Sequence, residues 1–434
     1  MSLWWAGPFL GLVFSVAFGP LLAAKFWEKY SAYVLRFWTC LYLFWVSYFW
    51  GWPRVVEAIY EPLFADYLPF ILLIFALYIV SGGIFVDFPR SYGPCFNTIY
   101  LFAGSILAGW MGTTGATSLL IRPFLRANSF RRYKTHLMVF FIFLVSNIGG
   151  AVTPLGDPPL FIGFLKGIDF FWFIKHLYVF IFGTIGALCL LFFAVDFYLF
   201  KKDGQKPGPR SNQDPSFILE GIPNIFLLVG ILLTVILCNF PGDGFVLGES
   251  VSGAAVLRNL ILLTIIIISV SVTPDEIYQR NGVSLGPIKE IGELFFGIFI
   301  TIVPVIHIMN QGGDGRLGDV FSWIAPGGDF IASRCFWISG LLSSFLDNAP
   351  TFLLFFHMTS GDPNVLMTAQ ANILTAFSIS TVFMGALTYI GNAPNLIVRS
   401  VAEGQGVAMP SFLGYVVWSM SILLPIFVII SYYL

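Results

Sequence analysis

Charged residues are scarce in this chain. Only 10% of its 434 residues are Asp, Glu, Lys or Arg, whereas 57% are apolar; soluble domains carry about 25% charged residues. The net charge of −1 provides no attraction to nucleic acid or to an acidic macromolecule. The 48 Phe and 12 Trp suit lipid-facing surfaces and interfacial belts. The composition therefore predicts an all-α polytopic membrane protein that contacts the lipid bilayer and no nucleic acid.

Patterns typical of enzymes and metalloproteins are also missing. The five cysteines are scattered without metal-ligand spacing, and neither a nucleotide-binding loop nor a set of nucleophile and base residues occurs. We therefore expect no enzyme activity, no bound cofactor and no ATP-driven transport. The stretch 1–24 lacks the basic region of a secretory signal peptide, so we expect it to form the first span.

Apolar stretches of about 20 residues predict about ten transmembrane helices. Two longer apolar stretches, 96–125 and 330–357, are interrupted at their centres by Gly and Thr or by Asp and Pro. Irregular backbone at membrane depth is tolerated only inside protein or along a wet cavity, so we expect two re-entrant hairpins there. The predicted spans lie near 6–24, 31–52, 67–86, 136–155, 172–200, 222–240, 253–273, 287–308, 370–391 and 412–433.

A ten-residue motif occurs twice. Gly150-Ala-Val-Thr-Pro-Leu-Gly-Asp-Pro-Pro159 reappears as Gly385-Ala-Leu-Thr-Tyr-Ile-Gly-Asn-Ala-Pro394 at an offset of 235 residues, and the hairpin centres correspond at an offset of 234. Each copy interrupts an apolar helix with Gly and Pro, which predicts broken helices at 136–165 and 370–400. Paired interrupted segments in two halves of a membrane protein indicate a substrate site.

The repeat and the charges together predict an inverted-topology repeat. The first half would span 1–200 and the second 221–434, joined by a Pro-, Gly- and charge-rich linker at 201–220. The positive-inside rule places this linker and the other basic loops in the cytoplasm and both termini outside. Each half then has five crossings, an odd number, so the halves are oppositely oriented. Secondary transporters of the bacterial inner (plasma) membrane have this architecture.

Asp157 and Asp347 are the strongest candidates for function, because each lies in a break predicted near mid-membrane. A carboxylate there costs about 2.5–3.5 kcal/mol on insertion scales and usually serves an ion or proton path. The structural alternative is that each aspartate caps a half-helix. Carboxylate, Thr, Asn and unwound backbone oxygens suit sodium, although any single Thr could instead bond the preceding turn. The candidate ion- or substrate-binding residues are Asp157, Asp347, Asn348, Thr113, Thr114, Thr117, Asn147, Thr153, Gly156, Thr351, Thr388, Asn392 and Asn395, with Asp157 and Asp347 as sodium ligands.

Other titratable groups are weaker candidates. Glu293 and His307 are 14 residues apart on one predicted helix, close to four turns, and would share a face as a proton relay. The alternative places Glu293 at the mouth of the helix. His136 lies at the end of a predicted span, which indicates an interfacial position.

The chain resembles the ion transporter superfamily, which includes NhaD-type sodium/proton antiporters, sodium symporters of citrate and dicarboxylates, and arsenite permeases. The resemblance is carried by Ser146-Asn-Ile-Gly-Gly-Ala-Val-Thr-Pro-Leu-Gly-Asp-Pro-Pro-Leu160, Leu346-Asp-Asn-Ala-Pro-Thr351 and Tyr389-Ile-Gly-Asn-Ala-Pro-Asn395. It implies a scaffold domain, a transport domain holding both hairpins and both broken helices, a homodimer, and an elevator-like movement.

The departures from the dicarboxylate symporters bear on the substrate. Those proteins resemble one another in carrying Ser-Asn-Thr at both hairpin tips, whereas this chain has Thr113-Thr-Gly115 and Asp347-Asn-Ala349, and Asp157 replaces a threonine. Two carboxylates would repel a dianionic substrate unless sodium or protons neutralised them. The sequence therefore favours a sodium (or lithium)/proton antiporter. A sodium- or proton-coupled carrier of citrate or another small organic anion, or an arsenite-type permease, is the alternative.

Overall fold

The chain is a multi-pass membrane protein built mainly from helices. The computed structural model describes residues 2–88, 93–204, 217–238, 253–309 and 323–434. Within these ranges, five helical segments are long and apolar enough to cross a membrane, or six if the bent pair Ile288–Thr301 and Val303–Met309 is one span. The total of about ten spans stays a prediction. The five segments are Trp52–Gly82, Thr135–Val152, Phe170–Asp203, Gly253–Val272 and Phe412–Tyr433.

Nine α-helices precede the linker region and eleven follow it in the described ranges. The first nine are α1 (Gly7–Leu22), α2 (Ala24–Trp50), α3 (Trp52–Glu61), α4 (Leu68–Gly82), α5 (Pro94–Met111), α6 (Thr113–Ala127), α7 (Thr135–Leu144), α8 (Pro158–Leu165) and α9 (Phe170–Asp203). The others are α10 (Ile222–Leu237), α11 (Gly253–Val272), α12 (Asp275–Asn281), α13 (Leu285–Thr301), α14 (Val303–Met309), α15 (Ala332–Leu346), α16 (Asn348–Thr359), α17 (Pro363–Met367), α18 (Ala371–Phe383), α19 (Ala393–Gly404) and α20 (Phe412–Tyr433).

Two helix pairs each turn at a single residue, within the stretches predicted as hairpins. α5 and α6 meet at Gly112, and α15 and α16 meet at Asp347. Both residues have positive φ, which interrupts the helical hydrogen bonds and lets the second helix pack back against the first. We refer to these pairs as hairpin one and hairpin two.

Two helices are broken at corresponding places. After α7 the chain forms a short 3₁₀ turn, Ile148–Val152, and an irregular stretch before α8 begins at Pro158. After α18 it forms the 3₁₀ turn Met384–Leu387 and then α19. Proline is tolerated in the first turn of a helix because its missing N–H would lack an intrahelical partner there. Each break therefore ends in a helix N-terminus inside the molecule.

The first broken helix lies at the centre of the protein. Of the span Thr135–Val152, 94% is buried by other protein segments, against 33% of the best window in Phe170–Asp203 and 28% in Phe412–Tyr433. An apolar helix covered on all sides is an interior helix, whereas α9 and α20 expose apolar faces suited to lipid. Protein therefore surrounds the irregular backbone of the first break, as its depth requires.

The prediction of an all-α fold misses one short β-ribbon. Strand β1 (Phe85–Asp87) pairs antiparallel with β2 (Ile218–Glu220). Arg280 contacts both strands of the ribbon. Its guanidinium lies 3.5 Å from the centroid of the Phe85 ring in β1 and forms an ion pair with Glu220 of β2 at 2.8 Å. Most of the predicted linker at 201–220 lies outside the described residues.

His136 lies at the start of α7, but its side chain is buried in protein. Its side chain is only 2% exposed, and its Nε2 lies 2.9 Å from Asp196 Oδ1. Asp196 is fully buried and also pairs with Arg131 at 2.5 Å and with Asn97 at 2.9 Å. Buried charges need such partners, and nothing in the apolar pattern of α9 shows that they meet. This cluster joins the base of hairpin one to α9.

The predicted relay between Glu293 and His307 is also not formed. The helix bends by 43° between α13 and α14, so the two residues do not share one straight face. Glu293 instead forms an ion pair with Arg36 at 2.5 Å, and His307 Nδ1 lies 3.2 Å from the carbonyl oxygen of Val303.

Candidate functional site

Asp157 lies where four chain segments meet. It immediately precedes α8, and only 1% of its surface is exposed. Thr113 of hairpin one donates through Oγ1 to Asp157 Oδ1 at 3.1 Å. Asn392 of the second broken helix donates through Nδ2 to the same oxygen at 3.3 Å, and Asn348 of hairpin two donates to Oδ2. An ionised carboxylate only accepts hydrogen bonds, so these donors match its charged form.

The two aspartates differ in whether they cap a helix. In the described part of the chain, no backbone N–H of α8 donates to the carboxylate of Asp157, because α8 begins with two prolines, which have no N–H. Asp347 does cap its helix, since its Oδ1 accepts from the backbone N of Asn348 at 2.8 Å. The alternative that the aspartates serve as helix caps therefore applies to Asp347 but not to Asp157.

Asp347 has an unusual backbone conformation. Among the described residues it is the only non-glycine with positive φ, at φ 68° and ψ 152°. Its counterpart in hairpin one is Gly112, at φ 79° and ψ 143°, so the turns lie 235 residues apart and the predicted offset of 234 is wrong by one. Side chains other than that of glycine are strained in this region by about 1–3 kcal/mol, and such strain clusters at functional sites. A carboxylate therefore stands where the turn itself favours glycine.

Two of the predicted ligands hold the breaks to the hairpins. Thr153 Oγ1 donates to the carbonyl of Gly109 at 2.5 Å, and Thr388 Oγ1 donates to that of Ser344, also at 2.5 Å. Each hydroxyl also accepts from a backbone N–H two or three residues further on. Each hydroxyl thus uses its proton and one lone pair on backbone groups, and among the described residues neither forms a hydrogen bond with Asp157.

An amide network joins the two broken helices. Asn147 Nδ2 donates to the carbonyl of Ile142 at 2.8 Å and to Asn395 Oδ1 at 2.7 Å. Asn392 Nδ2, besides contacting Asp157, lies 3.1 Å from the carbonyl of Ser146 and 3.3 Å from Asn147 Oδ1. The asparagines predicted as ligands therefore converge, although Asn147 and Asn395 mainly connect backbone segments one layer away from the carboxylate.

The remaining predicted residues fall into two groups. Thr114 and Gly156 line the cavity beside Asp157, and a Cβ at Gly156 would lie 2.8 Å from Gly109 Cα, which explains the need for glycine there. Thr117 and Thr351 point elsewhere. Thr117 Oγ1 pairs with Ser146 Oγ at 2.9 Å, and Thr351 bonds the carbonyl four residues before it at 3.0 Å.

A cavity of about 60 Å³ adjoins the two carboxylates. A water molecule occupies about 30 Å³ in the liquid, whereas pockets for drug-sized ligands span about 300–1,000 Å³. Its walls are largely apolar and, in the described ranges, include no Arg, Lys or His. Its polar lining residues are Thr113, Thr114, Asp157, Asp347, Asn392 and Tyr78. In this conformation the space suits a bare ion or two waters.

Four helix N-termini are directed to the same region. Asp157 precedes α8, Asn392 precedes α19, and Thr113 and Asn348 are the first residues of α6 and α16. Each helix N-terminus carries about half a positive charge. The four together offset part of the negative charge of the buried carboxylates, and they could equally attract an anionic group.

Sequence reasoning did not single out Ser146 as a site residue. Its hydroxyl contacts Thr117 and its carbonyl accepts from Asn392. Its position directly before Asn147, inside the first broken helix, was the available signal. In the described part of the chain, no group of three His, Cys, Asp or Glu side chains could hold a metal ion. A cation at Asp157 would depend on one or two carboxylates and neutral oxygens.

A model of the family described as "Putative citrate transport" matches residues 1–434. The chain belongs to this family. No curated protein matches it as a relative. Membership in this family supports a transport function and is consistent with a secondary transporter. The broad prediction of a citrate-transporter-like ion transporter is therefore confirmed.

Proposed function

We propose that this member of the citrate transport family exchanges sodium or lithium for protons, with Asp157 binding both competitively. The observation that carries the proposal is the cavity itself. It places two carboxylates and several neutral oxygens, and no cationic side chain of the described residues, around about 60 Å³. Such a site attracts small cations and excludes a multi-atom anion in this conformation.

The burial of Asp157 couples sodium binding to proton binding. An ionised carboxylate out of water is strongly unfavourable unless a cation or proton neutralises it. The three side chains that donate hydrogen bonds to Asp157 satisfy its carboxylate oxygens but do not neutralise its charge. One carboxylate can be neutralised by sodium or by a proton but not by both at once, so binding of either ion favours release of the other.

Alternating access would expose this carboxylate to each side in turn. The hairpins and broken helices form one body around Asp157, which suits the elevator-like movement implied by the resemblance. Sodium as cargo, the homodimer and the inverted orientation of the halves belong to this proposal.

A second candidate is a sodium- or proton-coupled carrier of citrate or a related organic anion. The family description favours it, and so do the four helix N-termini around the cavity. In that case Asp157 and Asp347 would bind the coupling cations beside the anion, and the cavity would have to widen in another conformation.

Proteoliposomes containing the purified chain separate the candidates. We expect sodium or lithium, added to vesicles with an imposed pH gradient, to drive proton movement, and Asp157→Asn to abolish it. Asp362→Asn is the matched control, because Asp362 is an exposed helix cap whose function asparagine can perform. Exchange by Asp157→Asn at the wild-type rate would contradict the proposal. Sodium-dependent uptake of radiolabelled citrate, without sodium-driven proton exchange, would establish the second candidate.

A further inference from the structure

A second cavity, of about 400 Å³, adjoins the first. The two share the lining residues Ile291, Leu294, Asp347 and Ala393, so Asp347 stands at their junction. We call the larger cavity the vestibule. Its other walls come from α1, α2, α13 and α19, including Trp27, Ser31, Glu290 and Ser400.

The described lining of the vestibule contains two charged side chains, and both are acidic. They are Glu290 of α13 and Asp347 of hairpin two, set in a lining that is otherwise mainly apolar. Among the described residues Glu290 has no ion-pair partner. Glu293, one turn further along α13, is paired with Arg36 and does not line the cavity. An unpaired carboxylate in a low-dielectric funnel concentrates cations.

Asn348 follows Asp347 in the chain and contacts Asp157 through its side chain. Asn348 is fully buried and donates through Nδ2 to Asp157, whereas its Oδ1 has no hydrogen-bond partner among the described residues. Buried polar atoms are nearly always satisfied, so an unpaired acceptor calls for an explanation. A cation moving from Asp347 to Asp157 would supply the missing partner.

We propose that the vestibule is the access route of the transported cation and that Glu290 receives the ion at its mouth before Asp347 passes it to Asp157. This rests on the proposed function. The strained backbone of Asp347 is then explained, because it holds a carboxylate at the junction where hairpin one has Gly112. Trp27 of the vestibule lies between Lys25 and Lys29, so the positive-inside rule places the mouth on the cytoplasmic side.

Thiol labelling tests the route independently of the transported ion. All five native cysteines are first replaced by alanine, and Ser31→Cys or Ser400→Cys is introduced. A membrane-impermeant maleimide should label both variants from the cytoplasmic side of oriented vesicles. Ser421→Cys, on the exposed face of α20, is the control and should remain unlabelled. Absence of labelling at both vestibule positions, or labelling from the opposite side only, would overturn the route.

Transport kinetics test Glu290. We expect Glu290→Gln to raise the half-saturating sodium concentration on the cytoplasmic side roughly tenfold with little change in maximal rate, because the residue concentrates cations and does not hold them at the site. Glu293→Gln is the matched control on the same helix. Equal sodium dependence of Glu290→Gln and wild type would overturn the function assigned to Glu290. A wild-type protein that labels from the cytoplasm but lacks sodium-driven proton exchange would contradict the proposed function and leave the route intact.

Discussion

Asn348 donates a side-chain hydrogen bond to Asp157 across 191 residues of sequence, from the second half of the chain to the first. The repeat alone would pair Asn348 with Asn392, as Thr113 pairs with Asp157. The contact instead crosses between the halves, so the carboxylate of one half is completed by an amide of the other. Neither half contains the site by itself.

Asn348→Ala should therefore weaken both folding and transport. It removes one donor from a buried carboxylate, and an unsatisfied buried group costs about 1–3 kcal/mol. We expect a lower unfolding temperature in detergent and a changed sodium dependence of exchange. Asn364→Ala, at an exposed position in the first turn of the short α17, is the control. A variant with wild-type stability and wild-type sodium dependence would show that this contact is dispensable.

Thr153→Val and Thr388→Val should each destabilise the protein. Valine preserves the shape but leaves the carbonyl of Gly109 or Ser344 and one backbone N–H without a partner. The expected cost is about 1–3 kcal/mol per site, measured by denaturant or thermal unfolding. Thr264→Val, whose exposed hydroxyl bonds only the preceding turn, is the control.

Thr153→Val and Thr388→Val also test whether the two threonine hydroxyls bind the ion or only form hydrogen bonds with the backbone. If the threonine hydroxyls only form hydrogen bonds with the backbone, the protein that remains folded should retain the sodium dependence of exchange. Loss of exchange at unchanged stability would instead show that they contact the ion in another conformation.

Asp347→Gly should leave the free energy of unfolding unchanged or raise it by about 1 kcal/mol. Glycine relieves the backbone strain at φ 68°, which stabilises the fold. The lost helix cap and the greater conformational freedom of the unfolded chain offset part of that gain. Transport should fall. Gly112→Ala is the contrasting change and should destabilise hairpin one by about 1–3 kcal/mol. Thermal unfolding and sodium-driven proton exchange, measured on the same preparations, check the opposite stability changes of the two variants and the loss of transport. A strongly destabilised Asp347→Gly would show that the carboxylate is needed for folding.

Asp196→Asn should be strongly destabilising without changing ion selectivity. It removes the closer of the two carboxylates that pair with buried Arg131 and leaves only Asp203, at 4.0 Å; breaking a buried pair costs about 3–5 kcal/mol. The exposed pair of Arg54 and Glu57 provides the comparison, since Glu57→Gln should cost less than about 1 kcal/mol. Similar unfolding temperatures for the two variants would contradict the structural importance of the Asp196 cluster.

Much of the fold could be predicted from local pattern. The Gly and Pro residues that interrupt helices at Gly112 and Pro158 act on their own turn of backbone, so the breaks are found where the sequence places them. The bend between α13 and α14 and the ribbon of β1 and β2 were not predicted. The ribbon depends on two strands more than a hundred residues apart, which short-range periodicity does not detect.

The candidate site was predicted as a list of residues rather than as an arrangement. The offset of 235 residues predicted which motifs correspond, and Asp157, Thr113 and Asn392 do meet. It did not predict that Thr153 and Thr388 would be engaged with backbone, or that Glu290 would line the vestibule. These depend on helix packing, which a single sequence does not specify.

The sequence by itself determined a helical membrane protein with paired interruptions and one aspartate for which the second copy has asparagine. Those features depend on composition and nearest-neighbour backbone chemistry. Only the tertiary structure decided that Asn348 completes the surroundings of Asp157, that Asp347 joins two cavities and that His136 is buried against Asp196. The reason is physical: hydrogen-bond partners and cavity walls are set by which helices come within a few ångströms, and that distance is a property of the whole fold.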